Sequence, residues 1–207
     1  MTSCNRQDES RVILSAYPND SIKEVMYYDL PITADSIGTK EIYFENGKLQ
    51  AKGGYKRGQR NGEWVCYKRN GQLEWKSKYV EGVENGTTEC YGENGSWKKL
   101  TIINGCKQGP TEEYNTDGKA NEAWVYGQYK DCKETGLWKW KDKKQRVVAQ
   151  LWYNDGKPDK FYERIDTLGN IEQRAILHNG YLDTLYTYDK GKLIKTEAYK
   201  DKLFEMK

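Results

Sequence analysis

At 207 residues, with 34 Lys and Arg against 31 Asp and Glu, the chain is rich in charge but nearly balanced, at a net +3. Its apolar bulk sits in 17 Tyr and 7 Trp, and it holds 20 Gly and a single His. This composition excludes a helical membrane span, a His-rich metal or acid–base site, a basic nucleic-acid-binding stripe and an aromatic-poor disordered chain.

Residues 1–10 are polar and are predicted to form a flexible N-terminal segment, with tandem repeats over residues 11–207. The first unit is degenerate: Tyr17 precedes a turn at Asn19-Asp20, and Ile22, Glu24, Met26 and Tyr28 then share one strand face. The Pro-containing stretch Leu30–Gly38 separates it from the next unit. From there the glycines fall on three ladders. Gly47, Gly71, Gly95 and Gly118 follow Asn or Asp at intervals of 24, 24 and 23. Gly38, Gly62, Gly86, Gly109 and Gly136 form the second ladder. Gly58, Gly82, Gly105, Gly156 and Gly180 form the third, with Cys132 where a Gly is expected. Gly53, Gly54, Gly92 and Gly127 lie outside all three. The Asn-Gly and Asp-Gly pairs are read as hairpin turns, because they supply the positive φ angles that tight turns require.

Between the glycines the hydrophobic period is two. Leu49, Ala51, Gly53 and Tyr55 alternate with polar residues, as do Leu73, Trp75, Ser77 and Tyr79. Later copies loosen: Gln145 replaces a central Gly, and Val147, Ala149, Leu151 and Tyr153 carry the strand. Such alternation marks strands with one covered face. A lone hairpin is marginal in water, so stacked hairpins must share their apolar rows. The predicted fold is all-β: an elongated, twisted single antiparallel sheet of about eight tandem β-hairpin repeats. Lys195, Lys200 and Lys202 protect its final strand.

The unit Gly62-Glu63-Trp64-Val65-Cys66-Tyr67, then Gly71-Gln72-Leu73 and Tyr79-Val80-Glu81-Gly82, resembles the MORN repeat, in its bacterial variant form. Gly38, Tyr43, Gly47, Leu49, Tyr55 and Gly58 make a second copy; Gly136, Trp138, Tyr153 and Gly156 make a third. Thr88 and Thr111 depart from the pattern at the Trp64 position. The resemblance implies a row of β-hairpins that serves as a binding or assembly scaffold, and bacterial proteins with such repeats carry an antitoxin-like label.

The five cysteines are read without a disulfide or metal. Cys66 and Cys90 are equivalent positions one repeat apart, about 10 Å by strand spacing, beyond disulfide reach. Cys106 and Cys132 are read as likewise about one unit apart, and the inner cysteines as small hydrophobes packed between repeats. No CxxC pair or adjacent His supports a metal site. Cys4, in MTSCNRQDES, is a lipid-anchor candidate, because the segment looks like the start of a mature bacterial lipoprotein. A cytoplasmic location with an unmodified start is the equal alternative.

Neither a catalytic residue nor a cofactor is assigned. His178 precedes the Asn179-Gly180 turn with no marked nucleophile or carboxylate beside it, and it is read as a turn residue. Glu112, Glu113, Asp117 and Glu122 cluster on one hairpin, where a carboxylate pair stays open. The aromatics are the stronger lead. Tyr67, Tyr91 and Tyr114 recur at equivalent positions, as do Trp64 and Trp138, with Trp75 and Trp140 in another row. These seven are assigned to partner binding, because Tyr and Trp bury large area at modest ordering cost. The expected function is a non-catalytic scaffold for a protein or peptide partner, of antitoxin or immunity type. The alternative is an envelope lipoprotein module binding glycan or cell-envelope material. Alternating charges argue against lipid binding.

Overall fold

The computed structural model describes residues 9–31, 33, 36–116 and 122–206. Over these residues the protein is all-β, with 17 strands in one antiparallel sheet built by hairpin succession. The strands begin at Glu9 rather than at residue 11; the segment before it, Cys4 included, lies outside the described residues.

Two compact units divide the chain. The first takes the described residues up to Tyr91 together with Ile102–Gly105; the second takes Gly92–Thr101 and the described residues from Cys106 onward. In the first unit run β1 (Glu9–Ala16), β2 (Ile22–Asp29), β3 (Ile37–Tyr43), β4 (Leu49–Lys56), β5 (Gln59–Tyr67), β6 (Leu73–Val80), β7 (Val83–Glu84) and β8 (Gly86–Tyr91). Both β7 and β8 pair with β6, so they are one hairpin arm broken at Asn85. The second unit holds β9 (Trp97–Ile103) as far as Thr101, β10 (Cys106–Thr116), β11 (Glu122–Lys130) and β12 (Lys133–Lys141). It continues with β13 (Val147–Asn154), β14 (Lys157–Ile165), β15 (Ile171–His178), β16 (Tyr181–Asp189) and β17 (Lys192–Leu203).

The glycine ladders prove to have three different jobs. Tight two-residue turns lie on the third ladder, not on the Asn-Gly one. Arg57-Gly58, Glu81-Gly82, Asn104-Gly105, Asp155-Gly156 and Asn179-Gly180 each place both residues at positive φ, the condition for a type I′ turn. In the first-ladder turns at Gly47, Gly71 and Gly95 only the Gly is left-handed. Gly47 donates its amide to Phe44 O (2.8 Å), while the Phe44 amide reaches Lys48 O (2.8 Å). That is a type I turn followed by a glycine bulge, with the Asn46 side chain accepting from the Lys48 amide at 3.1 Å. Second-ladder glycines sit inside strands, two residues ahead of the core position. Gly62 and Gly136 have φ of 87° and 68°, and strand register shifts beside both.

Each ladder also has a substitution that keeps the left-handed backbone. Gln145 (φ 62°) stands in for an Asn-Gly glycine, Cys132 (φ 69°) for a tight-turn glycine and Lys160 (φ 61°) for a bulge glycine. Residues other than Gly rarely adopt this conformation.

The core is a row of cross-strand partners. In the first unit Met26, Lys40, Gly53, Trp64 and Ser77 follow one another across β2–β6. In the second, Trp138, Leu151, Tyr162, Ala175 and Leu185 do the same across β12–β16. Large residues face small ones. The Trp64 indole lies on Gly53 and the Trp138 indole on Gly127, where a Cβ would come within 2.3 Å and 2.1 Å of the rings. Both are off-ladder glycines. Trp64 Nε1 donates to Gly54 O at 2.8 Å. Thr88 and Thr111 are buried at the Trp64 position, and there hydrogen bonds replace bulk: the Thr88 and Ser77 hydroxyls lie 2.7 Å apart and both reach Glu84. At the C-terminus, Phe204 packs on Tyr162 at 5.3 Å, and its amide donates to Gly180 O. This covers the apolar cluster of Leu151, Tyr162, Ala175, Leu177 and Leu182.

The cysteine expectation is corrected. Cys106 and Cys132 form a disulfide, with a Cα separation of 5.0 Å. They are not one repeat apart. Gly109 pairs with Tyr129 on adjacent strands, and carrying that register three residues back to the start of β10 sets Cys106 opposite Cys132. The Cys132 amide also donates to Lys107 O at 3.1 Å. Cys66 is half-buried, and burial raises its thiol pKa. Cys90 is exposed, so it is not packed between repeats.

Candidate functional site

Strand alternation decides where the seven predicted partner residues stand. In the first unit Trp64 and Trp75 share the core face with Ser77 and Tyr79, because Trp64 pairs with Ser77 and Cys66 with Trp75. Tyr67 and Tyr91 project from the opposite face. In the second unit Trp138 and Trp140 belong to the core face and Tyr114 to the other. The seven therefore do not form one row. Trp64 is 1% exposed and Trp138 5%, so both are core residues and their assignment as partner contacts is corrected. The Trp75 ring is already engaged from inside the chain. The Arg60 guanidinium lies 4.4 Å from the Trp64 ring, 5.9 Å from that of Trp75 and 5.2 Å from that of Tyr79. It also donates to the Tyr79 hydroxyl at 3.2 Å. The Trp140 side chain packs against both apolar clusters of the second unit.

The opposite face is polar and aromatic. In the first unit it carries Glu41, Lys52, Val65, Lys76 and Glu89 as cross-strand neighbours. Lys52 pairs with Glu41 at 2.9 Å and Lys76 with Glu89 at 3.1 Å. Tyr43 and Tyr91 donate their hydroxyls to Glu41 and Glu89 respectively. Burial alone would raise the Glu41 carboxyl, but the Tyr43 hydroxyl and Lys52 outweigh it and hold the pKa below its usual value. Burial, then the Glu41 charge, pushes the Tyr43 phenol well above its ordinary range. Tyr67 sits midway, one period from each tyrosine, but Val65 stands where they have a glutamate. Its hydroxyl has no hydrogen-bond partner among the described residues.

In the second unit, the face opposite its own apolar row has a stack that the repeat pattern alone does not single out. Trp97, Tyr114 and Trp124 lie in contact, with ring centroids 6.5 Å and 4.7 Å apart. Tyr114 and Trp124 are direct cross-strand partners. All three are half-buried and belong to neither buried cluster. Beside them the Lys141 ammonium lies 4.7 Å from the Tyr126 ring centroid. Burial, then Glu112, raises the Tyr126 phenol pKa. Trp97 and Trp124 were outside the seven predicted residues; the cue available was that Tyr114, Trp97 and Trp124 all have the alternation parity opposite to the core positions.

Of the acidic cluster, the described neighbours Glu112 and Glu113 do not face one another. Glu112 and Glu113 are consecutive in a strand and point to opposite faces, and Glu113 is ion-paired with Lys98 at 2.5 Å. Asp117 lies outside the described residues. His178 is exposed at the end of β15, opposite Tyr181. Among the described residues no group of three or more His, Cys, Asp or Glu could hold a metal ion, and no helix is long and apolar enough to cross a membrane. No protein-family model matches the chain, and no curated protein matches it.

Proposed function

We propose that the protein is a non-catalytic repeat scaffold of MORN type that binds a protein or peptide partner through its polar, aromatic face. The Trp97–Tyr114–Trp124 stack carries this reading. These rings cover neither apolar cluster, and they present a contiguous amphipathic surface flanked by lysines, as interface anchors do. Tyr67, Tyr91 and Tyr114 stay in the proposed contact set; Trp64 and Trp138 leave it. The test replaces Tyr114 with a photo-crosslinking phenylalanine in the native cell, and Tyr162 of the core as a control. A discrete crosslinked protein at position 114 and none at 162 is expected. Silence at both positions would sink the proposal.

A specific observation favours placing this scaffold in the cell envelope. The Cys106–Cys132 bond suits an oxidising compartment, since thiols in the cytosol are kept reduced. It gives the envelope-module alternative a support that does not depend on Cys4.

A further inference from the structure

We propose that a recess on the polar face of β13–β15 binds a carboxylate side chain from an acidic peptide segment, with Lys160 as the contacting cation. The proposal rests on the scaffold reading and names the partner's chemistry. The recess has a volume of about 440 Å³ and is lined by Gln150, Lys160, Phe161, Glu163, Arg174 and Ile176, within the size range of ligand sites.

Lys160 is the informative residue. It occupies the bulge position held by Gly62 and Gly136 in other repeats and keeps their left-handed backbone, at φ 61°. Leu151 pairs with Tyr162 and Tyr153 with Pro158, so Asp159, Lys160 and Phe161 all lie opposite Trp152. Bulges re-aim side chains, and this one carries the Lys160 ammonium to 4.0 Å from the Trp152 ring centroid. A glycine would satisfy the backbone without strain. Lys160 makes no ion pair among the described residues, so its charge is open to a ligand.

The floor beneath it is already neutralised. Glu163, only 4% exposed, is the one buried charged residue among those described. It accepts from Arg174 Nε at 2.6 Å, is ion-paired through Arg174 Nη2, and accepts from Gln150. Across β12–β15 this face carries Lys139, Lys141, Lys160 and Arg174. The acids near them are engaged: Glu163 with Arg174, Glu172 with Arg164 at 2.9 Å, and Asp159 with the Asn179 amide at 3.2 Å. Asp159 keeps its charge, because a backbone amide does not neutralise it, but Lys139, Lys141 and Lys160 outnumber it; the surplus is positive, and Phe161 and Ile176 offer apolar walls. A carboxylate beside an apolar residue fits both features.

The test titrates the whole protein with an acetylated, amidated peptide alternating Glu and Leu, against its Gln–Leu counterpart. The Glu–Leu peptide is expected to bind at least about tenfold tighter, a preference that shrinks with added salt. Lys160→Gly is expected to abolish that preference while melting no lower than wild type, because Gly relieves the left-handed backbone. Arg174 is left intact, since its removal would strand the buried Glu163. Equal binding of the two peptides, or a Lys160→Gly protein that keeps the preference, overturns the proposal. A clearly lower melting point for that variant does so too, since Lys160 would then serve as a structural cap on Trp152. Charge-blind peptide binding beside a successful Tyr114 crosslink would remove this inference and leave the scaffold reading standing. A charge-selective peptide with no crosslink would do the reverse.

Discussion

Gly53 and Gly127 show how one hydrogen atom can set the packing of a repeat. Each lies flat beneath an indole, and the space a methyl group needs is filled by the ring. A conventional large-to-small core change leaves a cavity, whereas here the danger is overpacking, which forces side chains off rotamer or shifts the backbone. Gly53→Ala and Gly127→Ala are each expected to lower stability by about 2–3 kcal/mol, measured by urea denaturation. The same change at Gly47, whose Cβ would meet nothing within 4 Å, is expected to cost only the left-handed backbone penalty of about 1 kcal/mol. If all three variants lost the same amount, the indole contacts would not be what these glycines serve. The sequence does not advertise the difference. Gly53 and Gly127 fall off the ladders, and only the register that sets Trp64 against Gly53 reveals their work.

At the scale of the hairpin, the tight turn between β11 and β12 is the odd one. Its second residue is Cys132, held left-handed and bonded to Cys106 on the neighbouring strand. Two effects oppose each other there. The cross-link closes a loop across a sequence separation of 26, for which chain entropy suggests about 3 kcal/mol; the non-glycine turn costs about 1 kcal/mol. Cys106→Ser removes the bond and keeps the awkward turn, so it is expected to be the least stable variant. Cys132→Gly removes the bond and restores the favoured turn residue, so it should recover about 1 kcal/mol of that loss. In dithiothreitol, Cys132→Gly should be more stable than wild type. Urea midpoints of the three proteins, with and without reductant, check the order. Hairpin period, turn positions and the all-β class were legible in the chain, because glycine spacing and two-residue alternation are local properties. The disulfide was not. Repeat spacing suggested a separation of one unit, but antiparallel pairing brings the start of one strand beside the end of the next.

At the scale of the whole chain, each unit divides the labour between the two faces of its strands. One holds the apolar rows, and the other mixes tyrosine, tryptophan and paired charges. That division was partly readable: Trp64 and Tyr67 are three residues apart in one strand, and an odd spacing sends them to opposite sides. Treating the aromatics as one set hid it, because residue type is visible in a sequence while the identity of the buried side depends on partners far along the chain. The compartment is the property of the entire protein that one bond can report. Protein quenched with an alkylating agent in its native cells, then analysed by mass spectrometry, is expected to show Cys106 and Cys132 protected as a linked pair. Full alkylation of both thiols would count against the envelope reading and favour a reducing compartment.

The tight turns hold a further implication in their backbone amides. Gly82 donates to Arg60 O, Gly156 to Glu134 O and Gly180 to Pro158 O, each reaching back about one period to the same place in the preceding hairpin. The tight turns at Gly82, Gly105, Cys132, Gly156 and Gly180 thus each donate to the carbonyl two residues past the turn before. A gene duplication that copies one full period would bring a matching donor and acceptor together, leaving no stranded amide at either junction. Arrays of this kind can lengthen or shorten by whole units through recombination, without a compensating substitution next door. Phe204 departs from this series, since its amide donates to Gly180 O, the turn residue itself, rather than to the carbonyl two positions past it.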